Sequence, residues 1–150
     1  MTEMQFVVFK LNNEEYAIEI NSVDGILKYQ ELTKVPQTDE FILGIINLRG
    51  KVIPIYNLKK KFYGEESEIT DDTRIIIINH NEIILGVIVD SVAEVLKISD
   101  NDIDLTDSIF SDKKDNSISG IGKLKDRLLM IININELLSE NEKTKIKEVI

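Results

Sequence analysis

His80 is the only histidine in this 150-residue chain, and there is no cysteine. A single imidazole without thiolates or a second imidazole cannot assemble a His/Cys metal site, and it has no partner for a nucleophilic pair. It falls in Asn79-His80-Asn81-Glu82, between two apolar runs, so a surface position in a hairpin turn is expected. Asp100-Asn101-Asp102-Ile103-Asp104 has the oxygen spacing that opens a calcium loop. Leu105, however, stands where such a loop needs glycine, and Ser111 where it needs a bidentate glutamate. Gly120-Ile121-Gly122 lacks a third glycine and opens no helix, so it is no dinucleotide fingerprint. With 27 acidic residues a carboxylate-dependent hydrolase stays as a distant alternative, but no spacing sets two carboxylates together at strand ends. The chain is expected to be no enzyme and to hold neither metal nor cofactor.

Recognition is better represented than catalysis. Arg49 lies beside Gly50 at a turn between two apolar runs, where a long cation can point outward. Exposed arginines are common interface anchors, and equally common solvated residues or salt-bridge partners within a fold. The net charge of -9 repels phosphate backbones and anionic lipid, so neither nucleic acid nor a membrane surface is an expected partner. Lys59-Lys60-Lys61 is one short basic run, followed by Glu65, Glu66 and Glu68, and reads as a solvated turn. No apolar run approaches the roughly 18 residues of a membrane span. Met1 to Gln5 lacks the basic start and apolar stretch of a secretion signal, so a cytoplasmic location is expected.

The elements that must position these residues are mostly strands. Hydrophobic residues make up 43% of the chain, aromatics only 6%, and isoleucine recurs throughout. Such β-branched richness favours sheets. Strands are expected over Gln5–Leu11, Tyr16–Ile20, Val23–Tyr29, Ile42–Leu48, Val52–Tyr56, Arg74–Asn79, Ile83–Val89, Val92–Ile98, Ile118–Leu124 and Leu128–Ile132. Pro54 suggests an edge strand or a bulge. Leu58 to Phe62 reads as a helical turn, Ser99 to Ser117 as a mobile polar loop, and a helix is expected from about Asn135 onward.

An internal repeat organises these strands. A shift of 69 residues lays Tyr16–Val23 on Leu85–Val92 and matches Ser22, Val23, Leu27 and Lys28 with the identical Ser91, Val92, Leu96 and Lys97. A shift of 76 lays Ile42, Gly44, Ile45, Leu48, Ile55 and Asn57 on Ile118, Gly120, Ile121, Leu124, Ile131 and Asn133. A unit of about 60 residues buries too little surface to be comfortable alone, so the two copies should share an apolar interface.

The same residues carry a family resemblance. Gly44-Ile45-Ile46-Asn47-Leu48-Arg49-Gly50-Lys51-Val52-Ile53-Pro54-Ile55, then Gly86–Asp90 with Val95-Leu96, then Ile118–Leu124 with Asp126-Arg127-Leu128 resemble the signature of CheW-like domains. The matches run in order from about residue 5 to residue 138. The resemblance implies an all-β fold with a C-terminal helix: two tandem five-stranded SH3-like barrels packed side by side. Their expected bounds are about 5–64 and 73–134, with the helix over 135–150.

It further implies a non-enzymatic adaptor of bacterial chemotaxis. Such an adaptor couples the cytoplasmic tips of methyl-accepting chemoreceptors to the regulatory domain of a CheA-type histidine kinase, and supports array assembly. It would be monomeric when free and recruited to membrane-associated arrays. A coupling module of another kinase pathway, such as pilus motility, is the alternative within signalling. The resemblance places receptor binding or signalling at Arg49, with Asn47 and Gly50 beside it. It sets Val92 and Val95 at apolar positions lining the receptor groove, where plain core is the competing reading. No kinase-contact residue is identified. Two departures stand out: Gly25 where many relatives carry an acidic residue, and Asn57 in place of a common aspartate that caps locally.

Overall fold

Ile75, Ile76, Ile77 and Ile78 are all buried, which a strand achieves only when both its faces are covered. The computed structural model, which describes residues 2–36, 40–106, 117–138 and 142–143, shows how that covering is arranged. The strands are β1 (Glu3–Leu11), β2 (Glu14–Glu19), β3 (Val23–Lys28), β4 (Ile42–Leu48), β5 (Lys51–Tyr56), β6 (Arg74–His80), β7 (Ile83–Val89), β8 (Ser91–Ser99), β9 (Ile103–Leu105), β10 (Ile118–Leu124) and β11 (Arg127–Ile132). Two short helices, α1 (Leu58–Tyr63) and α2 (Ile134–Leu137), follow β5 and β11. One sheet runs β8-β1-β2-β11-β10-β9 and the other β3-β6-β7-β5-β4.

The repeat is present in detail. Shifted by 76 residues, β4 and β5 fall end to end on β10 and β11, and the start of α1 falls on the start of α2. The register slips at Ile42/Gly44 and again at the equivalent Ile118/Gly120. Left-handed turn residues recur too: Asn12 and Asn13 in one hairpin, Asn81 and Glu82 in its copy.

The barrels are nevertheless not contiguous in sequence, which corrects the bounds 5–64 and 73–134. Strands β1 and β2 of the first repeat join β8, β10 and β11 of the second, with β9 added at the edge. Strands β6 and β7 of the second repeat join β3, β4 and β5 of the first. Two parallel pairings close the exchange, Ile131 on Ala17 and Ile55 on Gly86. The short links after each hairpin, Ile20–Ser22 and Asp90, carry the chain directly into the other sheet.

Strand alternation sorts the exchanged hairpins into three cores. Phe6 and Val8 point into one barrel with Ile98, Leu129 and Ile131, and Ile75 and Ile77 into the other with Ile46, Ile53 and Ile55. Their neighbours Val7, Phe9, Leu11, Ile76 and Ile78 meet between the barrels in the largest cluster, with Tyr16, Tyr56 and Leu85. Helix α1 is pinned over this seam by a 2.6 Å contact between the Tyr16 and Tyr63 hydroxyls, and by Phe62 stacked on Tyr16.

Three further expectations change. Pro54 lies in β5, an interior strand, but β7 pairs with β5 only from Ile55 onward, so the missing N–H costs no bond on that side. Within the expected loop from Ser99 to Ser117, Asp100–Asp102 form a 3-10 turn and β9 pairs antiparallel with β10, while residues 107–116 lie outside the described residues. The expected helix over 135–150 is broken: α2 ends at Leu137, and Leu138 is extended (φ -104, ψ 137). Glu142 and Lys143 are helical again, and 139–141 and 144–150 fall outside the described residues. Among the described residues no helix is long and apolar enough to cross a membrane.

Candidate protein-docking site

The turn joining β4 to β5 is built from two successive left-handed residues, Arg49 (φ 54) and Gly50 (φ 86). That geometry suits the twist of an antiparallel hairpin. Glycine adopts it freely, whereas arginine does so at a cost of about 1–2 kcal/mol. Asn47 holds the turn: its Oδ1 accepts the Gly50 N–H at 2.9 Å. Asn47, Arg49 and Gly50 are all exposed, so the structure gathers these three expected site residues on one rigid, solvent-facing turn.

Val92 and Val95 stand apart from it, on β8 at the edge of the other sheet. Val95 is 48% exposed, whereas Val92 is partly buried against the central core. Core packing thus accounts for Val92 and not for Val95, whose side chain is left at the surface.

Beneath the Arg49 turn the barrel has an open mouth. Asp24, Gly25, Leu27, Leu48, Arg49, Lys51, Ile53, Ile77 and Ile84 line a cavity of about 290 Å³. Ile26 and Val52, on the same strands as the rim, are exposed at 42% and 38%. The repeat shifts carry these two onto Val95 and Leu128, which are also exposed, Leu128 at 66%. Each barrel thus displays an equivalent apolar pair.

The equivalent end of the six-stranded barrel differs in its charges. Arg127 Nη2 lies 2.5 Å from Glu15 Oε2 and 3.5 Å from Glu94 Oε2, while its Nε donates to Glu15 Oε1 at 3.2 Å. This fork-to-fork bond is of the strong, bidentate kind. The hydrogen bond from Arg127 holds the Glu15 carboxyl below the usual range against the opposing pull of burial. It also raises the guanidinium further. These three residues are 33 to 112 positions apart in sequence, and nothing in their local context announces them.

The basic run is not the solvated turn expected of it. Lys59 is buried in α1, with Nζ 2.7 Å from Asp90 Oδ1, and Lys61 Nζ donates to the Leu137 carbonyl. Positions two apart do not share a helix face, and Lys59 and Lys61 are each drawn to a separate partner, the Asp90 carboxylate and the Leu137 carbonyl. Asn57 caps that helix, its Oδ1 accepting the Lys60 N–H at 3.2 Å. His80 ends β6 rather than sitting in the turn, and its Nε2 lies 2.8 Å from Asn135 Oδ1. Among the described residues no group of three or more His, Asp or Glu side chains is placed to hold a metal ion.

The chain matches the model of the CheW-like domain over residues 5–142. It belongs to the CheW-like family. Its CheW-like sequence is 40% identical over 139 residues to the chemotaxis protein CheW of Bacillus subtilis, covering 93% of this chain and 89% of that protein. It is 38% identical over 138 residues to the chemotaxis protein CheW of Helicobacter pylori, covering 92% and 83%. The crystal structure of scaffolding protein TtCheW from Thermoanaerobacter tengcongensis superposes with a TM-score of 0.84 at 38% identity, covering 95% of this chain and 97% of that one.

Proposed function

We propose that this chain is a non-enzymatic adaptor of bacterial chemotaxis that couples chemoreceptor cytoplasmic tips to a CheA-type histidine kinase in the cytoplasm. The observation that carries this reading is the Arg49 turn: a strained, exposed cation locked by Asn47 above an apolar mouth. Strain at an exposed residue persists where the surrounding structure enforces it, and it concentrates at sites of recognition. The relatives named chemotaxis proteins and the scaffolding protein of matching fold support the same assignment.

The mechanism is coupling through a stiff body. Two barrels joined by exchanged hairpins and one continuous apolar seam cannot shear without breaking that seam. A partner held at the Arg49 turn and another held elsewhere on the barrels then bias each other through shared contacts. Receptor contact at Asn47, Arg49, Gly50, Val92 and Val95 is part of this proposal. Calorimetric titration against a CheA-type regulatory domain and a receptor cytoplasmic fragment tests it. Saturable one-to-one binding of both is expected. No heat with either at high micromolar concentration would overturn the reading and direct the search to another kinase pathway.

A further inference from the structure

The six-stranded barrel has a cavity at the end away from Arg127, where β11 runs out into α2. Glu19, Ser22, His80 and Asn135 line it with Phe6 and Ile131, around a volume of about 330 Å³. An apolar wall with a few convergent polar groups, at this size, is the build of a small-molecule site. Ser22 is only 7% exposed, and its hydroxyl has no hydrogen-bond partner among the described residues. No fully buried side-chain oxygen among them is left unpaired, so that hydroxyl opens on the cavity it lines. The Glu19 carboxylate, exposed at the rim, likewise has neither ion pair nor hydrogen bond among the described residues. No lysine or arginine among them lines the cavity, and the His80 ring is engaged by Asn135 Oδ1 at 2.8 Å.

The repeat shows which group this place lacks. Its shifts carry Ser22 onto Ser91 and Asn135 onto Lys59. Those two line another cavity, of about 270 Å³, in which Lys59 Nζ lies 2.7 Å from Asp90 Oδ1. The first copy thus brings its own ammonium to a carboxylate beside the serine. The second copy keeps the serine and has a carboxylate in Glu19, but sets an uncharged amide where the lysine stands in the first. An ammonium donates to a carboxylate and a hydroxyl oxygen alike, and an apolar wall suits the stem that carries it. We infer that this cavity is a binding site for a small organic cation, an ammonium on an aliphatic or aromatic body. Glu19 answers the charge, Ser22 accepts an N–H, and the apolar body lies against Phe6, Ile103 and Ile131. The inference is independent of the adaptor reading.

An NMR titration of the full chain with hexylammonium chloride tests it. Saturable shifts are expected at Ser22, Ile103 and Ser119, with hexanoate and hexanol binding about tenfold more weakly or worse. Glu19→Gln, at an exposed position, should keep cooperative unfolding and weaken the amine about tenfold. Asn135→Lys should abolish binding by supplying the ammonium in cis. Unchanged affinity in either variant, equal binding of hexanol, or no saturable shift at these residues overturns the inference. Tighter binding of a lysine-containing peptide than of the free amine assigns the cavity to a partner's side chain and overturns the small-molecule ligand.

Discussion

Lys59 Nζ lies 2.7 Å from Asp90 Oδ1, and the other oxygen of the same carboxylate accepts the Asn12 N–H at 2.8 Å. Three segments meet at this carboxylate: α1, the link between β7 and β8, and the first hairpin turn. The Lys59 side chain is 7% exposed and that of Asp90 30%. Removing the better-solvated partner strands the buried one. Asp90→Ala should therefore cost about 2–3 kcal/mol, through an unpaired buried ammonium and an unmet N–H. Lys59→Met keeps the packing of the stem and leaves behind a carboxylate that water reaches, so it should cost about 1 kcal/mol or less. Urea unfolding of the two variants checks the order. Equal losses would show that the pair's charge is immaterial and only its volume counts.

Acid stability should carry the signature of Glu15. Its carboxyl is held below the ordinary value of 4.5, mainly by the hydrogen bond from Arg127. A carboxylate depressed in the folded state binds protons more readily when unfolded. Its stabilising contribution is thus complete above the unfolded value and lost as pH falls through the lower, folded one. The wild type should lose stability progressively below about pH 4.5, whereas Glu15→Gln should already lack this contribution at neutral pH and decline less steeply over that window, the two curves converging in acid. Thermal midpoints between pH 3 and 7 provide the comparison. Parallel curves would mean that Glu15 titrates alike in both states.

Much of this fold was legible before any coordinates, and the failures have physical causes. The bounds Ile83–Val89 follow from an unbroken run without a polar side chain, and Ile42–Leu48 and Ile118–Leu124 from two copies of one repeat segment, each closed by a turn at its end. The repeat followed from glycine, serine and asparagine keeping their order. What a repeat cannot reveal is which copy each strand pairs with. The deciding contacts, Ile55 on Gly86 and Ile131 on Ala17, are long-range and leave no local pattern. Strand β9 escaped notice because three residues in an acidic stretch are too few to show alternation. Within the docking site, Arg49 and Gly50 stood out by type and spacing. The charged triad of Arg127, Glu15 and Glu94 did not, nor did the burial of Lys59, because ion pairing between distant segments depends on the exchange itself.

Two equivalent glycines should respond unequally to alanine. A Cβ at Gly44 would lie 2.6 Å from the Thr33 carbonyl oxygen, a backbone atom held in a two-bond bridge to Ile45. At Gly120 the closest atom is Ile103 Cγ2 at 2.8 Å, on a side chain near the sheet edge, with the Asp104 carbonyl at 3.1 Å. Backbone in a ladder cannot retreat without losing its hydrogen bonds, whereas a methyl group can rotate. Gly44→Ala should cost about 2–3 kcal/mol and Gly120→Ala about 1 kcal/mol. Hydrogen exchange at Thr33 and Ile45 should accelerate in the first variant alone. Retained protection there would show that the bridge moves as a unit to admit the methyl.

At Arg49 an effect on stability can be told apart from an effect on binding, because its backbone is strained and its side chain is exposed. Arg49→Ala removes the guanidinium but keeps a Cβ at φ 54, so stability should stay within about 0.5 kcal/mol. Arg49→Gly removes the guanidinium and the strain together, and should raise stability by up to about 1 kcal/mol. If the guanidinium is what the partner reads, the two variants should lose receptor-dependent kinase control to the same extent while moving apart in stability. A reconstituted kinase assay with receptor fragment, run beside thermal unfolding, makes the comparison. Control that survives in the alanine variant but fails in the glycine variant would place the signal in the rigidity of the turn that Asn47 closes. Cooperative unfolding lost in Arg49→Ala would instead make the residue a structural one.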